Sequence, residues 1–93
     1  MKTSENKITH EHKFPFESPN MGTPWSMKIW QWGTYCRKTW ECDYTLQISN
    51  GKRIWNLRSD SHTKLARIFV ELMIIDSVHN ITAALELYEF EDH

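Results

Sequence analysis

"ISNGKRIW", residues 48–55, carries the strongest fold signal in the chain. Asn-Gly is the preferred pair for a two-residue type I′ turn, because both turn positions need positive φ. A turn at Asn50-Gly51 sets Ser49 opposite Lys52, and then pairs Leu46 with Trp55 and Tyr44 with Leu57. Upstream, Trp40, Cys42, Tyr44, Leu46 and Ile48 alternate strictly with Glu41, Asp43, Thr45, Gln47 and Ser49. The alternation predicts a strand over 40–49 with one apolar and one polar face, and a hairpin partner over 52–58.

A third strand is expected at 27–35, ahead of that hairpin and antiparallel to it. Its orientation depends on the connection around Cys36-Arg37-Lys38-Thr39. If an even number of residues is looped out, Ile29 meets Leu46, Tyr35 meets Trp40, and Trp30 and Trp32 land on the polar face beside Thr45 and Asp43, near Asn56. An odd number sends both tryptophans into the core, because the side-chain period is two. Turn chemistry leaves both registers open, since "CRKT" holds neither Gly nor Asn. Lys28 shares a side with Trp30 and Trp32 and is harder to satisfy in a core than on an outer face, which favours the outward reading.

From Ser59 the apolar period lengthens to three or four. Ser59, Asp60 or Ser61 can cap a helix over 60–77 whose Leu65, Ile68, Phe69, Leu72 and Ile75 form a stripe for the sheet. Val70, Met73 and Ile74 widen that stripe, so a second layer is expected to contact it, supplied by a shorter helix over 80–90 capped by Asn80. "LELYEFE" also admits a strand, with helix preferred on propensity. Residues 1–24 are polar, hold Pro15, Pro19, Pro24 and Gly22, and read as an extended arm pinned by Phe14 and Phe16. The expected fold is therefore α+β: an arm over 1–24, then a single domain over 25–93 with a three-stranded antiparallel β-meander, one face packed by a C-terminal helix.

At 93 residues the chain fits one domain, and five Trp, three Tyr and four Phe must supply much of its core. A formal net charge of −1 gives no global field to attract nucleic acid or an anionic membrane. No apolar run reaches spanning length and Met1–Lys7 lacks a secretion-signal core, so a cytoplasmic protein is expected. In that setting "NIT", Asn80 to Thr82, is an incidental glycosylation match. Cys36 and Cys42 match no common metal or redox spacing and read as reduced thiols.

His10-Glu11-His12 is the nearest thing to a metal motif, but no local spacing completes a ligand set, so neither metal nor cofactor is expected. No motif surrounds either cysteine, and Glu41 and Asp43 read as solvated acids on a polar strand face, so no enzyme is expected. The acidic Glu86, Glu89, Glu91 and Asp92 read as a solvated surface. By exclusion the expected activity is protein binding, in which a small module occludes or adapts a larger partner, as inhibitors borne by viruses or mobile elements do. Trp30, Trp32, Lys28, Asp43 and Arg58 are the candidate binding residues, since interfaces concentrate energy in Trp and Arg. The alternative is single-stranded nucleic acid or a nucleotide-like ligand stacked on the tryptophans, against which Glu41 and Asp43 count by repelling phosphate.

Overall fold

The computed structural model describes residues 3–17, 22–36 and 39–92. Among them are five strands and two helices: β1 (Thr3–Glu17), β2 (Pro24–Cys36), β3 (Thr39–Ser49), β4 (Ile54–Ser59), α1 (His62–Met73), α2 (Val78–Leu87) and β5 (Glu91–Asp92). The strands lie in sequence order in one antiparallel sheet, so the α+β class and the meandering path of the central strands follow the alternation in the sequence.

The expected arm is instead an edge strand. Residues 3–17 pair with β2 from Thr3 opposite Tyr35 to Glu17 opposite Pro24, with register shifts between Ile8 and His10 and between Lys13 and Glu17. "HEHKFPF" in fact alternates: His10, His12, Phe14 and Phe16 contact the inner face, and Glu11 and Lys13 point to the other side. Counting histidine as polar hid that period, and Pro15 argued against a strand. Proline is compatible with an edge at a register irregularity, where no ladder bond depends on its missing N–H. Pro19 and the Arg37-Lys38 connection lie outside the described residues.

The hairpin also departs from expectation. Ser49 pairs with Ile54, Ile48 with Trp55, Leu46 with Leu57 and Tyr44 with Ser59, so the loop spans residues 50–53 and the register slips by two. Gly51 has φ +89°, but Asn50 is not in the positive-φ region, and a type I′ turn is therefore ruled out. Asn50 acts through its side chain: Oδ1 accepts the N–H groups of Lys52 at 2.9 Å and Arg53 at 2.7 Å, while its own N–H donates to the Arg53 carbonyl at 3.2 Å. An Asx-type closure thus competes successfully with the tighter turn. Because the slip is even, every side chain keeps its face.

β2 and β3 pair in the even register, with Ile29 opposite Leu46, Tyr35 opposite Trp40, Trp30 opposite Thr45 and Trp32 opposite Asp43. The core lies between the inner face (Phe14, Trp25, Met27, Ile29, Leu46, Ile48) and the helices (Leu65, Ile68, Phe69, Leu72 of α1; Ile81, Ala84, Leu85 of α2). Ser61 caps α1 by accepting the Lys64 N–H at 3.2 Å. Ser77, not Asn80, caps α2 by accepting the Asn80 N–H, also at 3.2 Å. The single long first helix ends at Met73, four residues short of expectation, and α2 begins two residues early. Helix wins over strand in "LELYEFE" until Leu87; Glu91 and Asp92 then join the sheet beside Asn56 and Trp55. Among the described residues nothing covers the wider stripe of α1, since Val70 and Met73 are exposed and Ile74 is 84% exposed.

Candidate functional site

The two faces of the sheet have different fates. Both helices pack on the inner one, and no described element covers the outer one. Register assembles the outer face into rows across the strands. Ile8, Trp30, Thr45 and Arg58 form one row; Asn6, Trp32 and Asp43 form the next; Glu11, Lys28, Gln47, Asn56 and Glu91 form a third.

Trp30 and Trp32 stand two residues apart on β2 and therefore side by side, with ring centroids 5.7 Å apart and planes inclined at 32°. Trp32 is 43% exposed, while Trp30 is half-buried. Lys28, on the same side of the strand, places Nζ 5.5 Å from the Trp30 ring centre, within reach of the negative face of the π system. Across the sheet Arg58 Nη2 donates to Asp43 Oδ2 at 3.4 Å, an ion pair between exposed side chains. Such a pair holds orientation more than it adds stability.

Between the tryptophans and Arg58 lies a shallow groove of about 260 Å³, lined by Trp30, Trp32, Thr45, Gln47, Asn56 and Arg58. Thr45 forms part of its lining and is only 8% exposed despite facing outward, flanked in its row by Trp30 and Arg58. Gln47 Nε2 donates to Asn56 Oδ1 at 3.3 Å, which leaves one carbonyl and one amide group of this pair for an incoming molecule. The groove can therefore stack a flat or apolar group and hydrogen-bond to it from the side.

All five residues singled out in the sequence lie on this face. Thr45, Gln47 and Asn56 were not singled out, and the reason is specific. The expected pairing already set Thr45 beside the tryptophans and Asn56 near them, but the two-residue slip of the hairpin brings Arg58, rather than Asn56, into the row of Trp30 and moves Asn56 opposite Gln47. Their signal was the polar alternation of β3 and β4, which marks a face but not a row.

The remaining chemistry-bearing residues are elsewhere. His10 and His12 face the core side while Glu11 faces outward, so the three do not converge. Among the described residues no group of three or more His, Cys, Asp or Glu side chains is arranged to hold a metal ion. Cys42 is a free thiol with Sγ 3.6 Å from the Tyr44 hydroxyl oxygen; this hydrogen-bonded contact, followed by burial, raises the phenol's pKa. The Tyr88 hydroxyl donates to the Glu71 carboxylate, which raises its pKa likewise and ties the end of α2 to α1. Comparison with protein-family models, with curated proteins and with solved structures found no match to this chain.

Proposed function

We propose that the chain is a non-catalytic binding module that uses its open sheet face to dock on a larger protein, acting as an inhibitor or adaptor by occluding that partner. The supporting observation is the pair of outward tryptophans beside a polar groove on a face that no described element covers. Large rings left in water are costly to keep, and on a small monomer a clustered aromatic patch points to a surface that is covered in use. Tryptophan and arginine are the side chains that most often anchor protein interfaces, and Trp30, Trp32 and Arg58 lie within one groove. Lys28 and Asp43 would set orientation from its margin.

A second reading has an observation of its own. The groove offers a ring wall together with a free amide donor and acceptor, and that combination also suits a nucleobase stacked on Trp30 or Trp32.

Both are tested with the immobilised full chain, alongside a Trp30→Ala, Trp32→Ala double variant confirmed as folded by circular dichroism. Extracts are applied with and without nuclease, and bound material is identified by mass spectrometry and sequencing. A protein retained by the wild type, lost by the variant and indifferent to nuclease is the expected result. Retention that disappears with nuclease supports the second reading. Equal retention by both chains removes the face from consideration.

A further inference from the structure

Three imidazoles gather on the opposite side of the sheet, where β1 meets α1, and the binding reading uses none of them. His10 of β1 and His62, the first residue of α1, lie with ring centroids 5.1 Å apart. Both touch one hydroxyl: Thr9 Oγ1 is 3.1 Å from His62 Nε2 and 3.1 Å from His10 Nδ1. That hydroxyl's own proton is directed to the Ile29 carbonyl at 3.4 Å. Each ring nitrogen donates to or accepts from this hydroxyl according to its tautomer, so one oxygen couples the two rings. Thr9 is the residue inserted at the β1 bulge, so the bulge is what aims its hydroxyl between the two rings.

We propose that His10, Thr9 and His62 form a proton-operated clasp between β1 and α1, closed while His62 is neutral and loosened in mildly acidic solution when His62 takes up a proton beside His10.

The surroundings favour a neutral His62. His10 packs its ring against Phe69 at 5.3 Å, and the next imidazole inward, His12, lies between Phe14 at 4.9 Å and Phe69 at 6.5 Å with a buried Nε2 that has no hydrogen-bond partner. From β3, Tyr44 faces His62 at 4.7 Å and carries the Cys42 thiol on its hydroxyl. Across the inner face at that level the Cα partners are Lys7 of β1, Gln31 of β2, Tyr44 and Ser59 of β4. Lys7, Asp60 ahead of the helix, and Lys64 on it are exposed to water. No carboxylate among the described residues forms an ion pair with either ring. Two cations this close, packed against aromatic rings and without a counter-charge, repel each other and lose hydration.

Burial, followed by the proximity of His10, lowers the His62 pKa from its ordinary value. The unfolded chain therefore binds that proton more readily than the folded one. The stability linked to this ring is complete above about pH 6.5, the ordinary imidazole value, and is lost as pH falls below it toward the folded pKa. A histidine whose pKa was raised by a carboxylate partner would behave in the opposite sense, losing its stabilising contribution as pH rises. Ile8 flanks Trp30 and Asn6 flanks Trp32 just before the bulge, so a loosened β1 would also disturb the edge of the outer face.

The test combines imidazole NMR titration with hydrogen exchange between about pH 7.5 and about pH 5.5. We expect a His62 midpoint below that of a free imidazole, which rises when His10 is replaced in His10→Gln. We also expect amides of residues 8–12 and of the first turn of α1 to exchange at least about threefold faster in acid after correction for intrinsic rates. That acceleration should be absent in a His10→Gln, His62→Gln double variant. A His62 midpoint at or above the free value in wild type overturns the proposal, and so does a midpoint indifferent to His10→Gln. Should the double variant not fold, the wild-type titration decides alone. Because every arm reads the inner face, the outcome is independent of whether the outer face binds a partner.

Discussion

Trp25 and Trp55 stack with planes 7° apart at 5.3 Å on the inner face, while Trp30 and Trp32 lie on the outer face of the same sheet. The same side chain thus meets opposite environments within a single strand, β2, and the difference is one of parity. Trp25 falls in phase with Met27 and Ile29, under the helices; Trp30 and Trp32 fall out of phase with them. The inner pair is held despite a defect, because Trp25 Nε1 is buried with no hydrogen-bond partner. Magnitudes explain why the defect survives. Removing a large aromatic ring from water is worth about 4–6 kcal/mol, and an unmet N–H costs about 1–3 kcal/mol. Hydrophobic burial therefore governs one face, and the other carries polar rows and two part-exposed rings.

The contrast is broken most strongly by truncating its buried member. Trp25→Ala should destabilise the fold by about 3–5 kcal/mol in urea denaturation, as large-to-small changes in a packed core do. Trp30→Ala and Trp32→Ala should each cost less than about 1.5 kcal/mol by the same measurement, because both rings keep contact with water. If an outer substitution matches the inner one, the two faces are not distinct.

A smaller effect is expected where the sheet's register is set. Gly51→Val should cost about 1–3 kcal/mol in the same assay, since φ is +89° and a Cβ would lie 2.5 Å from Thr23 Cγ2. Smaller again, Ser61→Ala should cost about 1 kcal/mol by removing the α1 cap that holds the helix start near His62. A double-mutant cycle on Arg58 and Asp43 should return a stability coupling within about 1 kcal/mol. A larger value would mean that the outer face is a structural layer, and the comparison with the inner face would then fail.

Legibility in the sequence followed the strength of local period. The strict alternation of β3 and the stripe Leu65, Ile68, Phe69, Leu72 were readable, and both elements formed there with those residues buried or facing as expected. Lys28 beside two tryptophans was enough to favour the outward register. β1 was missed because its inner positions include Lys7 and two histidines, whose rings count as polar in a pattern yet pack edge-on against Phe69 and Phe14. The uncovered part of α1, Val70 and Ile74, was misread because an apolar stripe states what a helix can bury and not what is available to bury it.

By itself the sequence determined the three central strands and the two helices, their amphipathic sense and the residues able to share a face, because these depend on periods of two and of three to four along a few neighbouring positions. Only the tertiary structure decided the even register of β2 on β3, the two-residue slip at Asn50, the entry of residues 3–17 into the sheet, and the meeting of His10 with His62. Each of those joins residues distant in sequence or weighs two local closures of similar energy. The choice between them is made by packing that forms only when the whole sheet is assembled against its helices.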